Sequence, residues 1–223
     1  MLKHWRDMKA QHPQSILFYR VGDFYEMFHE DATLAARILD ITLTSRGDGV
    51  PLAGVPVKAA AEYLRLLVAA GHRVAICEQV EDPRLAKGLV RREVVETLTP
   101  GALLAEGWIP GARNNWMAAL ARPQRGGLGL AAVDLSTGEF LLESVPADGL
   151  EEALTRLNPA EVVVADDDAA PLPAGGITPL LTRRGAWEFD PVLARDDLTR
   201  RFNLASLDGL GVGADDAAAV GQR

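Results

Sequence analysis

The 223-residue chain is 48% hydrophobic and carries a formal net charge of −8, which gives enough apolar surface for two modest cores rather than one large one. A pI near 5.0 excludes a generic nucleic-acid coat, and the absence of any run of eighteen apolar residues or of a basic-then-apolar leader speaks against membrane insertion and export. The single cysteine, Cys77, cannot close an internal disulfide, so a reducing cytosol is the expected setting and Cys77 is expected to be a small core residue.

In chain order, a first helix is expected from Leu2 to Gln11, stopped near Pro13. The run Ile16-Leu17-Phe18-Tyr19 is short and rich in β-formers, and predicts a strand over 15–21 that ends at Gly22-Asp23. A helix is expected from about Phe24 to Leu39, then a strand over 41–45, a turn-forming segment from Gly47 to Pro56, and a helix over 57–70 with Tyr63, Leu64, Leu67 and Val68 at helical spacing. Strands over 73–79 and 92–98 complete an α/β pattern. Pro, Gly and Asn collect between Thr99 and Asn115, and we take 101–115 as a linker between domains at 1–100 and 116–223. Beyond it come strands at Trp116–Ala121, Gly129–Asp134 and Glu139–Val145, with a turn at Ser136-Thr137-Gly138 between the last two, then a helix at Leu150–Leu157 and a strand at Val162–Ala165.

Charge separates the two halves. Up to Asn115 there are 14 Lys+Arg against 14 Asp+Glu, and from Trp116 onward 9 against 17. Only the first half can lie on phosphate, and its neutrality implies weak, salt-sensitive binding unless its cations gather on one face.

Phe24 and Glu26 stand two positions apart just after the first strand. A Phe projected from such a turn can wedge between stacked bases, and a carboxylate beside it can test a base edge for a hydrogen-bond donor. The same residues also fit a helix start, with Asp23 as N-cap, Glu26 at the third position of a capping box and Phe24 turned into the core. From the residues alone both readings stand.

The longer strings GDFYEMFHEDA (22–32), DITLTSRG (40–47) and VPLAGVP (50–56), followed by AICEQ (75–79), DPRLAKG (82–88) and LTPG (98–101), resemble in order and spacing the mismatch-recognition domain of the MutS family of DNA mismatch repair proteins. LAAVDLSTGEF (130–140), NPAEVVV (158–164) and WEFD (187–190) resemble the connector domain of that family. The resemblance implies a mixed-sheet α/β mismatch-recognition domain over 1–100 and a ribonuclease-H-like connector domain over 116–223, whose C-terminal extent is left open. It also implies that the chain is the N-terminal part of a longer protein whose lever, clamp and ATPase domains lie elsewhere.

Carried over by position, the resemblance makes Phe24 the wedge and Glu26 the acceptor that probe a mispaired or unpaired base from the minor groove. Arg46, Leu52, Lys58 and Arg92 fall at expected backbone or groove contacts. Val57 and Lys58 depart from the family's aromatic-His pair, and Glu93 and Glu96 stand where basic residues are frequent, which puts the local contact pattern in doubt. The implied partners are mismatched double-stranded DNA, the remaining MutS domains, a second MutS subunit and a MutL-type repair protein met through the connector, in a bacterial cytoplasm at the nucleoid. No membrane partner and no cofactor in this chain are expected, while ATP and Mg²⁺ belong to the full-length family protein.

A rival reading comes from the same fold. Asp134, Glu151 or Glu152, and Asp166 follow the coarse D…E…D order of a two-metal nuclease, where converging carboxylates would hold two Mg²⁺ ions. Each also has an ordinary role: Asp134 at a turn, the glutamates at a helix N-terminus, and Asp166 opening a solvated acidic run. Other catalytic patterns are missing from the sequence. His4, His12, His29 and His72 lack metal-ligand spacing, and no G-x-x-x-x-G-K-[ST] string occurs.

Overall fold

The structure, a computed structural model, describes residues 1–47, 49–81, 88, 90–102, 114–122, 127–169, 172 and 177–207. Residues 103–113 of the expected 101–115 linker and most of the DPRLAKG string lie outside these residues. The chain divides into two compact units, Met1–Pro100 and Gly101–Arg223.

In the first unit, helix α1 (Leu2–Gln11) leads into strand β1 (Ile16–Val21). Strand β2 (Phe24–Phe28) returns antiparallel to β1 and runs directly into helix α2 (His29–Leu39). Then come β3 (Thr44–Arg46), β4 (Val50–Pro56), a 3-10 turn at Val57–Ala59, helix α3 (Ala60–Ala69), β5 (Val74–Gln79) and β6 (Arg92–Leu98). The six strands form one mixed sheet in the order β3-β4-β2-β1-β5-β6, with β1 and β5 parallel and the other neighbours antiparallel.

Two expectations are corrected here. Residues 24–28 are a strand, because Phe24-Tyr25-Glu26-Met27-Phe28 is a run of β-formers that completes a hairpin with β1, and the pairing of Val21 with Phe24 leaves only Gly22 and Asp23 in the turn. Gly22 takes φ +57, a conformation that glycine adopts without the Cβ penalty. Asp23 and Glu26 therefore form no capping box; α2 starts later, at a corner where His29 has φ +55 and its ring lies 5.3 Å from that of Trp5. The segment read as a turn over 47–56 contains the interior strand β4 despite Pro51 and Pro56. Its pairing with β2 covers Leu52–Pro56 and its pairing with β3 covers Val50–Leu52. Each proline thus sits where one flank lacks a partner strand, so its missing N–H breaks no ladder.

Alternation sorts the side chains of this sheet onto two faces. Ile16, Phe18, Tyr25, Met27, Val55 and Val74 are buried toward one face, and α2 and α3 contact β1, β2, β4 and β5 there. On the other face, Trp5 of α1 packs with Leu17, Tyr19, Phe28, Ala75 and Cys77. Burial pushes the Cys77 thiol up to about 11, as expected of an inert core thiol.

Asp31, only 6% exposed, ties three elements together. It accepts a bond from the Leu17 backbone N–H at 3.0 Å and pairs with Lys9 of α1 at 2.7 Å, while the Lys9 ammonium also donates to the Ser15 carbonyl at 2.5 Å.

The second unit holds β7 (Trp116–Ala121), β8 (Leu128–Asp134) and β9 (Glu139–Val145) as an antiparallel meander. Helix α4 (Leu150–Leu157) follows, buried through Leu150, Ala153, Leu154 and Leu157 at helical spacing. Strands β10 (Glu161–Ala165) and β11 (Leu180–Arg184) add in parallel on the other side of β7, giving the order β11-β10-β7-β8-β9. This is the strand order of a ribonuclease-H-like sheet, three antiparallel strands and then parallel additions beside the first. Helix α5 (Pro191–Phe202) has Pro at its first position and Asp190 as N-cap, accepting from Val192 and Leu193 N–H at 2.8 and 3.0 Å. Among the described residues no helix is long and apolar enough to cross a membrane.

Removing Asp31 leaves the Leu17 N–H and the Lys9 ammonium without their carboxylate. Asp31→Ala should lower the unfolding free energy by about 3 kcal/mol, read as a shifted urea midpoint, and the double variant Lys9→Met/Asp31→Ala should recover part of that loss.

Candidate nucleic-acid interface

The hairpin places Phe24 and Glu26 on the same face of the sheet, while Tyr25 between them goes to the core. Phe24 is 47% exposed, which rules out the core role that a capping box would have given it. Its hairpin is anchored at both ends of the turn. The Val57 N–H donates to the Asp23 carbonyl at 3.0 Å, and the Tyr25 hydroxyl donates to Glu78 of β5, with the Arg20 guanidinium 5.7 Å above the Tyr25 ring. Burial and the Glu78 bond push the Tyr25 phenol up to about 12, so it stays a neutral donor.

Helix α1 covers only part of this face. Beyond it, Phe24 and Glu26 border an open cleft of about 530 Å³, with Leu52 and Gly54 of β4, Thr44 of β3 and Asp40 around it. Gly54 is the cross-strand partner of Glu26, and a Cβ added there would lie 3.8 Å from the Glu26 side chain and 3.9 Å from the Phe24 ring. The absent side chain therefore leaves the space between the Phe24 ring and the Glu26 carboxylate open.

Glu26 has a side chain only 19% exposed and pairs with Arg46 at 3.1 Å. Burial raises its carboxyl above the ordinary value, and the Arg46 guanidinium opposes that rise without cancelling it. The site holds a carboxylate mostly shielded from water, with one guanidinium as its ion-pair partner.

The remaining expected contacts divide. Arg46 and Leu52 lie around Glu26. Lys58 is exposed on the 3-10 turn two residues beyond Pro56, the cross-strand partner of Phe24. Arg92, expected on the DNA backbone, is 5% exposed. It stacks 5.0 Å from the Tyr19 ring centre and donates to the carbonyls of Arg20 and Val90 at 2.7 and 2.6 Å, so its cation serves the fold. Glu93 and Glu96 pair across the sheet with Glu78 and Ile76, on the face opposite Phe24 and Glu26, and do not confront whatever lies on the cleft. Gly54 was the residue that sequence reasoning missed. Its signal was a glycine within an alternating strand.

In the second unit the nuclease constellation does not assemble. Asp134 pairs with Trp116 at the start of β7, beside the start of β10, whereas Asp166 follows the far end of β10. Five residues of strand separate them, roughly 16 Å at 3.3 Å each. Asp134 is fully buried and accepts from Ser136 N–H and Oγ at 2.8 and 2.6 Å and from Asn115 N–H at 2.9 Å. Burial alone would raise its carboxyl, but these bonds outweigh it and hold the group below the usual range. Asp166 accepts from the Ala186 N–H at 3.1 Å, and Glu151 and Glu152 are exposed in the first turn of α4. Among the described residues no group of three His, Cys, Asp or Glu side chains could hold a metal ion.

The two units, an α/β sheet with an open aromatic and carboxylate site and a ribonuclease-H-like sheet, define the class to which the chain is similar. Residues 1–107 match MutS domain I and residues 115–221 match MutS domain II. The chain is 44% identical to the DNA mismatch repair protein MutS of Desulfosudis oleivorans, in an alignment that covers 95% of this chain and 25% of that protein. The chain belongs to the MutS family, and it spans about a quarter of the length of the relative it matches.

Because the folded environment raises the Glu26 carboxyl, the folded state binds its proton more tightly than the unfolded chain, and stability falls as pH rises through that carboxyl's range. Glu26→Gln should therefore raise the thermal midpoint slightly at pH 7, with the gain fading in acid. Phe24→Ala, at a half-exposed position, should change the unfolding free energy by less than about 1 kcal/mol.

Proposed function

We propose that the first unit recognises mispaired or unpaired sites in duplex DNA, with Phe24 stacking on a base from the minor groove and Glu26 accepting a hydrogen bond from that base. The observation that carries this reading is the exposed Phe24 ring beside the half-satisfied Glu26 carboxylate on one open face. Its physical logic is differential. Unstacking and kinking a duplex costs a few kcal/mol per step, and a mispair has already lost part of that stability, so defective sites are cheaper to open. A carboxylate brought against DNA is unfavourable unless it finds a donor or takes a proton, so Glu26 penalises intact duplex as well as rewarding an opened one.

Leu52 and Lys58 would hold the backbone or groove beside the probe, and Arg46 would stand at Glu26. The second unit would act as a connector, relaying the DNA-bound state to further MutS domains, to a second subunit and to a MutL-type partner. ATP and Mg²⁺ would act in those other domains, in a bacterial cytoplasm at the nucleoid. The acidic charge of the second half supports the assignment of DNA contact to the first unit alone.

Two measurements test the reading. Phe24→Ala should cost roughly 1 to 3 kcal/mol of mismatch binding in titrations of mispaired against matched duplex, with the matched affinity little changed; an unaltered preference would return Phe24 to a structural role. Glu26→Gln should tighten binding to matched duplex and narrow the ratio. The 223-residue chain itself, with a neutral first half, should show its preference only at low salt and lose it as salt is raised.

A further inference from the structure

We propose that Arg46 is a specificity-determining residue that acts through Glu26: the ion pair fixes the probe as an acceptor-only group, and so makes it reject intact duplex. This rests on the mismatch-recognition reading. Arg46 ends the exposed edge strand β3, where a bare phosphate contact would point to solvent, yet its Nη1 is turned inward. It lies 3.1 Å from Glu26 Oε2 and 3.6 Å from the Met1 sulfur.

The hydrogen-bonding character of Glu26 matters because of what an intact minor groove presents. Adenine N3 and thymine O2 are acceptors, and the guanine amino group is the sole donor. An ionised carboxylate meets these acceptors and the phosphates with repulsion, whereas a neutral carboxyl could donate to them. Burial already favours the neutral form of Glu26, and duplex docking would strip away more water and push the same way. Arg46 supplies the opposing field.

The other groups around Glu26 do not take over this task. Its cross-strand neighbour on β1 is Tyr19, a phenol raised by burial whose hydroxyl meets His4 Nδ1 of α1 at 3.0 Å. The Arg92 cation of β6 is engaged over the Tyr19 ring, Asp40 borders the same cleft as an acid, and β4 contributes Gly54. Among the described residues Arg46 is the ion-pair partner of Glu26.

The test uses the 223-residue chain at low salt, with matched and singly mispaired duplexes, and the variants Arg46→Gln, Arg46→Lys, Glu26→Gln and Arg46→Gln/Glu26→Gln. Arg46→Gln should narrow the mismatch ratio roughly two- to fivefold, the range that a partly exposed ion pair supports, and more so as the pH falls from about 8 to about 6. Arg46→Lys should restore the ratio, and in the Glu26→Gln background the Arg46 change should leave it unmoved. Equal weakening on both duplexes with a pH-independent ratio would overturn the proposal in favour of a phosphate contact. A carbon-13 titration of the Glu26 carboxyl in the DNA-free chain reads the coupling independently: its transition should move to higher pH in Arg46→Gln, and an unmoved transition also overturns the proposal. A wild-type chain without any mismatch preference at low salt would instead sink the reading on which the proposal rests, whatever the titration does.

Discussion

The two-residue turn at Gly22-Asp23 sets the register of β2 on β1, and the candidate site follows from that register. With Val21 opposite Phe24, Tyr25 and Met27 enter the core while Phe24 and Glu26 share the other face. A slip of one residue would exchange the two sets, sending a carboxylate under α2 and α3 and exposing the Tyr25 and Met27 side chains. The core's demand for two large apolar groups therefore enforces the placement of Phe24 and Glu26 on the other face. The bonds from Val57 to Asp23 and from Tyr25 to Glu78 hold the turn against such a slip.

Coverage by α1 then decides which part of that face remains open. Trp5 and its neighbours bury Tyr19 and Phe28, and the Lys9–Asp31 pair pins the helix end to α2 and to the start of β1. Phe24, Glu26, Leu52 and Gly54 are left around an unfilled cleft. A fold selected only for stability would place a longer side chain at Gly54 and a neutral one at Glu26; the observed residues leave a gap and a mostly shielded carboxylate at the same spot, a pattern in which local rules give way where a site is built.

Much of the architecture was legible because it rests on local pattern. Strands β1, β5, β6, β7 and β9 and helices α1 and α4 follow runs of β-formers or helical spacing in the sequence. Strand β2 was misread because Asp23-x-x-Glu26 imitates a capping box and apolar residues continue at helical spacing into α2; only the pairing with β1, a non-local fact, makes it a strand. Strand β4 was hidden by its two prolines, which are harmless only in the offset between two neighbours that no single segment reveals. Strand β11 and helix α5 went unassigned although Asp190-Pro191 gave a usable helix start. The pair Phe24 and Glu26 could be picked out by spacing, but the burial of Arg92 over Tyr19 depends on strand order across β1, β5 and β6.

Three acidic side chains show why residue type alone could not separate structure from function. Asp134 is buried with donors from Ser136 and Asn115 aimed at both oxygens, and the result is a carboxyl held below its usual range. Glu161, also buried, receives the Gly101 N–H at 3.2 Å and the Thr182 hydroxyl, and joins the start of β10 to its surroundings. Glu26 is the opposite case: mostly shielded from water, supplied with the Arg46 guanidinium at its outer edge, and raised above the usual range. A carboxylate that is fully bonded within the protein has nothing left to offer a ligand. One shielded from water, with its proton affinity raised by burial and only partly offset by a single guanidinium, is not accounted for by the bonding of the fold alone.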